Sequence, residues 1–361
     1  MRGLPGPATH PRFPMTSRFI LLGLLLGIHT SFVHAGDIRG AGATFPSDVY
    51  KGWAVAYEKE RGGKVSYLPT GSGDGIKRII ARQVDFGGSD SPLNGADLDK
   101  NKLVQFPTAV GGIVPVVNLR GIASNQLRLT GELLADIMSG EISRWDDKRI
   151  AAINPGTALP TTAIVRIVRA ERSGSTDAFT RYLSAMSPAW KAGIGHGQSV
   201  KWPDAPVAAE GNDGVVKAIQ STQGAIGYVS YDRVTQHKLV GVMLRNRDGS
   251  FVAAAEDGFK SAVVASDLNK KGDETASLLD QPGPLSWPIT VTTYVLVDAQ
   301  PKTAEGAKHA LQFLYWTFLK GDALLRSTGF TPLPVAIQAR LISRFQKIQP
   351  LDGQPLNFYL N

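Results

Sequence analysis

The sequence predicts an α/β chain of two lobes, each a mostly parallel sheet flanked by helices. Three observations carry that expectation. Its 361 residues amount to about two domains of about 150 residues each. From residue 37 onward, strand-like and helix-like segments alternate in the β–loop–α order that builds parallel sheets with helices on both faces. No low-complexity tract or long flexible linker interrupts the alternation, so two lobes must be joined by crossings through strands, which implies a hinge.

The elements follow in order. Residues 1–35 carry Arg2, Arg12 and Arg18 with no acid, then an apolar run from Phe19 to Ile28, and end in Val33-His34-Ala35. That pattern predicts a secretory signal peptide cut before Gly36, and hence an extracytoplasmic, periplasmic protein. The segment ahead of Met15 is unusual for such a leader, which makes Met15 a second candidate start. No cysteine follows the apolar run, so lipid anchoring is not expected. Asp37–Ala43 reads as a strand leaving through glycines. Pro46 stands in the first turn of a helix whose apolar Val49, Trp53, Ala56 and Tyr57 share a face, stopped by Gly62-Gly63. KVSYLPT is a second strand, GSGDG a turn, IKRIIARQ a short helix beginning near Asp74, and VDFGGSD a third strand and turn. Downstream, GIVPVVNL, TTAIVRIVRA, GAIGYVSYDRV and WPITVTTYVLV read as strands. LTGELLADIMSG reads as a helix, as does the segment that ends in FTRYLSAM. AEGAKHALQFLYWTFLKG is a strongly amphipathic helix with Ala307, Leu311, Leu314 and Phe318 on one face.

Composition excludes several classes. There is no cysteine, which removes zinc ribbons, thiol nucleophiles, iron–sulfur clusters and disulfide frameworks. The formal charge of +8 falls to +5 once the leader's three arginines are removed, without the dense basic stripe that nucleic-acid binding requires. A small anion suits that mildly basic chain at least as well. Beyond the leader the only histidines are His196, His237 and His309, and no HExxH or histidine–acid cluster is present to hold a metal. GxSxG and GxxxxGK[ST] are both absent, and GAGATF lacks the third glycine of a dinucleotide fingerprint. No cofactor, metal or catalytic residue is therefore expected.

Three small-residue turns with hydroxyls lead into helices: Gly40–Phe45, Gly71–Gly75 and Arg172–Thr176. A helix start has unpaired N–H groups and the positive end of the dipole, and small residues let an oxyanion approach them. Each turn alone has an ordinary explanation, since Ser and Thr cap helices and Gly forms turns. Asp90, at the end of a strand, should point into the crevice where open α/β sheets bind ligands, or else cap the turn near Pro92. Arg169, at another strand end four residues before Ser173, either joins that crevice or forms a surface ion pair with Glu171.

With these turns laid out, the chain resembles the PstS family, the periplasmic phosphate-binding proteins of phosphate ABC importers. The resemblance runs in order through GAGATFPSDVYKGWAVAYEKE, PTGSGDGIKRIIARQVDFGGSDSPL, QFPTAVGGIVPVVNL, GEISRWDDKRIAAINPG, VRAERSGST, VKWP, GNDGV, GAIGYVSY and WPITVTTYVLV, nearly the whole chain after the leader. It implies a type II periplasmic-binding-protein fold with the ligand in the cleft between the lobes. It also implies a phosphate shell of Ala43, Thr44 and Phe45 at the first helix start, Ser72 at the second, and Ser173, Gly174 and Ser175 at the third. Arg169 would be the cation in contact and Asp90 a hydrogen-bond acceptor. Gly73-Asp74 stands where the family commonly has Ser-Gly, Arg172 replaces a usual Gly, and Ser175 stands where Thr is frequent.

The implied boundaries are residues 36–112 plus 290–361 for lobe one and 113–289 for lobe two, crossing at GGIVPV and WPITVT. The partners implied are inorganic phosphate and the importer's permease subunits, with the chain itself a monomer. Asp90 explains ligand choice: phosphate near neutral pH keeps an O–H that a carboxylate can accept, whereas sulfate has none. Rival readings are a binder of sulfate or molybdate on the same scaffold, a secreted phosphatase, and a structural surface protein.

Overall fold

The computed structural model describes residues 37–359 together with residues 3, 4 and 6. The expected signal peptide, those three residues apart, lies outside that description. The chain divides into residues 1–34 and 35–361, and every element below lies in the second.

β1 (Ile38–Gly42) passes through the Thr44-Phe45-Pro46 turn into α1 (Ser47–Arg61), which buries Val49, Tyr50, Trp53 and Tyr57. β2 (Val65–Pro69), α2 (Ser72–Ile80), β3 (Phe86–Ser89) and α3 (Gly95–Asn101) follow. α2 begins at Ser72, two residues ahead of the expected start, because its first turn packs directly on the neighbouring strands. A Cβ on Gly75 would lie 2.6 Å from both the Gly42 Cα and the Gly88 carbonyl oxygen, so only glycine allows that approach. β4 (Leu103–Val117) is then buried along all fifteen residues.

The middle of the chain contains β5 (Arg128–Leu129), α4 (Gly131–Ser139), α5 (Lys148–Ile153), β6 (Val165–Arg169), α6 (Gly174–Met186) and α7 (Pro188–Gly193). β7 (Val207–Ala209), α8 (Gly211–Ser221), β8 (Ala225–Ser230), α9 (Tyr231–His237) and β9 (Val240–Gly241) come next, then β10 (Met243–Arg245), β11 (Phe251–Val252), α10 (Glu256–Ala265) and α11 (Asp267–Lys271). β12 (Thr290–Asp298), α12 (Ala304–Lys320), α13 (Asp322–Ser327) and α14 (Val335–Arg344) complete it.

The main sheet runs β2-β1-β3-β12-β4-β8-β6-β7, with β9 also on β4. It is mixed: its outer strands are parallel on both sides, and the pairs made by β4 and β12 in the middle are antiparallel. β5, β10 and β11 form a separate small sheet. β4 belongs to both sides of the main sheet. Its residues 103–112 pair with β12, and from Ile113 onward it pairs with β8. At that changeover Gly111 lies under the rings of Phe45 and Phe330, and Gly112 under Phe259. The Trp287 indole N–H donates to the Ile113 carbonyl at 3.0 Å, tying the segment before β12 to the same point.

Sequence patterning reveals only the second part of β4, because Pro107 and the paired glycines interrupt the apolar run. The structure accommodates Pro107 at a bulge, where the register slips between Thr293 and Tyr294 of β12. One apolar cluster then extends through both sides of the sheet, from Trp53 and Phe313 to Trp145 and Phe179.

Candidate functional site

The three small-residue turns meet. Ser72, first residue of α2, accepts hydrogen bonds at its Oγ from the Asp90 N–H at 3.2 Å and the Gly174 N–H at 3.1 Å. Gly174, first residue of α6, is a position where a Cβ would lie 2.5 Å from that Oγ and 2.7 Å from the Asp90 Cβ. The Thr44 Oγ1 accepts from the Arg169 Nη2 at 2.7 Å and from the Asn212 Nδ2 at 3.1 Å, leaving its own proton to donate. Ser175 donates to Asp90 Oδ2 at 3.5 Å, a long contact.

Arg169 ends β6 and is only 5% exposed, so it is not the surface ion pair of the ordinary reading. Its Nη2 binds both Thr44 and the Glu171 carboxylate. Its Nε and Nη1 are buried and, among the described residues, have no hydrogen-bond partner. An unpaired buried donor costs about 1–3 kcal/mol, more when charged. Asp90 follows β3 and is held on its other side by Thr293, whose hydroxyl donates to Oδ1 at 2.8 Å. Burial raises the Asp90 pKa to about 7, against the opposing pull of the Thr293 hydroxyl, the Arg169 charge and the Ser175 hydroxyl.

Thr44, Ser72, Asp90, Arg169, Gly174 and Ser175 are therefore brought together. Phe45 follows Thr44 in the first turn, and its ring is buried with its edge on Phe330, centroids 4.9 Å apart. Three expected backbone donors are occupied, the Gly174 N–H by the Ser72 Oγ. The Ala43 N–H donates to the Gly88 carbonyl at 2.9 Å, because β1 continues its pairing with β3 one residue past its end. The Ser173 N–H donates to the Gln198 carbonyl at 2.9 Å, and its Oγ caps α6 by accepting from the Thr176 N–H at 3.3 Å. For Ala43 this corrects the expected backbone contact, and for Ser173 it leaves only the hydroxyl proton.

Asn212, Thr293 and the pairing of half-buried Glu171 with a buried Arg169 have no part in the sequence expectation. Asn212 carries a usable signal, since GNDGV is a fourth small-residue turn before a helix. Thr293 carries none, because its place opposite Asp90 is set by the long-range β3–β12 register, in which Tyr294 pairs with Ser89. Asp74, a departure from the family pattern, is held by the Thr70 hydroxyl at 2.6 Å and by Arg78. Arg172 is exposed, with its carbonyl accepting from the Gly73 N–H at 3.1 Å.

A cavity of about 320 Å³ opens beside Thr44, bordered by Ser47, Thr70, Glu171, Asn212 and Arg233. Among the described residues no group of three or more acidic, histidine or cysteine side chains could hold a metal, and no helix is long and apolar enough to cross a membrane. Many donors beside a single buried acceptor can enclose a tetrahedral oxyanion that retains a proton.

A family model described as a PBP superfamily domain matches residues 31–320. The phosphate-binding protein PstS of Pasteurella multocida is 37% identical over 343 residues, covering 95% of this chain and 99% of the relative. The PstS of Haemophilus influenzae is 39% identical over 315 residues, covering 87% and 94%. Among solved structures, a high-affinity periplasmic phosphate-binding protein (PfluDING) with phosphate bound matches with a TM-score of 0.69 at 23% identity, covering 85% of this chain and 93% of that one. A phosphate-binding protein from Stenotrophomonas maltophilia matches with a TM-score of 0.66 at 22% identity over the same shares. Those structures share the periplasmic-binding-protein fold, and by its relatives the chain belongs to the PstS family of phosphate-binding proteins.

Proposed function

We propose that this chain is an extracytoplasmic solute-binding protein that captures inorganic phosphate and delivers it to the permease of an ABC importer. The observation that carries the reading is Arg169: a buried guanidinium with two open donors beside a buried carboxylate. Buried polar groups in folded proteins are nearly all paired, so such donors mark where an acceptor from outside the chain is received. The names of the relatives and the fold shared with phosphate-bound proteins support the same ligand.

The phosphate shell is Thr44, Phe45, Ser72, Arg169 and Ser175 as donors, with Gly174 exchanging its N–H bond to the Ser72 Oγ for one to the anion, Ser173 contributing its hydroxyl and Asp90 accepting the phosphate O–H. Ala43 takes a supporting part by holding Gly88. Lobe one comprises residues 36–112 and 290–361, lobe two residues 113–289. The change of partner along β4 at residues 112 and 113 supports that division. Thr44, Ser72 and Asp90 lie on one side of it, Arg169 and Gly174 on the other, so ligand contacts stabilise the closed arrangement. The chain acts as a monomer and binds without turnover, and the pattern of residues 1–35 supports export to the periplasm.

The test is equilibrium dialysis of the ligand-stripped protein against labelled phosphate in a large excess of sulfate. One phosphate per chain, retained against sulfate, is expected. Full displacement by sulfate would move the function to another oxyanion, and turnover of a chromogenic phosphomonoester would move it to a phosphatase.

A further inference from the structure

Arg233, outside the phosphate shell, is the most heavily engaged cation at the seam between the two sides of the sheet. Its side chain is 3% exposed. It grips Asp48 with both terminal nitrogens, Nη1 to Oδ2 at 2.5 Å and Nη2 to Oδ1 at 3.1 Å, and Nη2 also donates to the Ser47 Oγ at 3.1 Å. Its Nε donates to Asp213 at 2.6 Å, and Nη1 also reaches Asp232 at 2.7 Å and Gln236 at 3.3 Å. Every guanidinium nitrogen is thus engaged, unlike those of Arg169.

The partners say what this cluster does. Ser47 and Asp48 form the first turn of α1, just beyond the Thr44-Phe45 start. Asp213 follows Asn212, whose amide donates to the Thr44 Oγ1. Arg233 therefore binds, from α9, the two helix starts that converge on one hydroxyl of the site. The contact also separates two cavities: Arg233 borders the one beside Thr44, and Asp48 and Asp232 border a second of about 540 Å³.

We infer that Arg233 is a positioning residue for anion binding, a clasp that holds the α1 start against α8 and α9 and sets the rate of ligand release without touching the ligand. The inference rests on the two-lobed phosphate-binding reading, because the Arg233–Asp48 and Arg233–Ser47 contacts cross the proposed lobe boundary. A planar guanidinium fits a carboxylate bidentately, so the clasp has one geometry and fixes one relative position of the lobes. When the binding-competent form is fractionally populated, apparent affinity falls by that fraction. Loosening the clasp reduces the closed fraction and leaves the anion's own contacts intact.

Two variants test this. Arg233→Met keeps the aliphatic stem and removes the charge. Asp48→Asn removes the carboxylate across the seam while leaving Arg233 paired with Asp213 and Asp232, so it keeps the test decisive should the first variant fail to fold. The readouts are the phosphate release rate by stopped flow and the radius of gyration by small-angle scattering, with and without phosphate. Asp48→Asn is expected to release phosphate about tenfold faster and to be larger without ligand, yet to match the wild type at saturating phosphate. Combined with Arg233→Met it should add less than twofold. Wild-type release and an unchanged ligand-free radius in Asp48→Asn would overturn the clasp, as would additive effects. If the wild type itself binds no phosphate, the ligand reading falls, and the ligand-free radius of Asp48→Asn still decides for or against the clasp.

Discussion

Asp90→Asn separates what this carboxylate costs the fold from what it does for the ligand. In the ligand-free protein its pKa is raised from the ordinary 3.8 to about 7, chiefly by burial. Such a displacement corresponds to about 4 kcal/mol. The folded chain keeps a proton that the unfolded chain has lost, so folding is favoured by protonation. Stability should fall as pH rises from about 4 to about 7, and the full loss should persist above that range. Asparagine carries no titrating proton at this position and should lack the decline. Urea unfolding in phosphate-free buffer from pH 4.5 to 8.5 reads most of it directly: the wild-type curve should descend relative to the variant by about 3 kcal/mol. Ligand choice should change at the same time. The ionised carboxylate accepts a phosphate O–H and repels a bare sulfate oxygen, whereas the amide can donate to either. Discrimination of about 10⁴-fold should collapse until sulfate competes at comparable concentration. Parallel pH curves for the two proteins, or undiminished rejection of sulfate, would refute the reasoning.

Arg169→Met removes two open charged donors, each contributing about 1.5–3 kcal/mol to a bound anion, so dialysis should show phosphate affinity reduced by about 10²-fold or more; a loss under tenfold would exclude Arg169 from the shell. Asp74→Asn should leave affinity within about threefold of wild type, less than 1 kcal/mol, because its carboxylate is held by Thr70 and Arg78; a large gain would show that its charge does reach the ligand. Gly75→Ala forces a methyl group to within 2.6 Å of the β1 and β3 backbone and should cost about 1–3 kcal/mol, read as a lower urea midpoint; an unshifted midpoint would mean that α2 can move outward freely.

The features legible in the sequence are those written in local chemistry. The α1, α2 and α6 starts announce themselves through small residues and hydroxyls, and the long apolar face of α12 through its period. Hence Thr44, Ser72, Gly174 and Ser175 could be placed at helix starts before any geometry was known. Long-range pairing left no such mark. The first part of β4 is a strand because β12 lies beside it, and Thr293 meets Asp90 because β12 pairs with β3 on its other edge. The engaged N–H groups of Ala43 and Ser173 are set by Gly88 and Gln198, partners that no local window contains. Arg169 and Glu171 were visible as neighbours, but burial turned an ordinary pair into the cationic centre of the site.

The position of β12 between β3 and β4 has a consequence for the order in which the protein can be made. A chain synthesised from its N-terminus presents β1 to β4 early, yet Ser89 of β3 and residues 103–112 of β4 must wait for a strand that begins at Thr290. Until then two adjacent strands present open edges, which are templates for mispairing. Pairing across such a separation is also slow. The chain cannot lock into its final sheet until almost all of it is present. A truncation anywhere ahead of Asp298 should, for the same reason, yield an aggregating fragment in place of a smaller working protein.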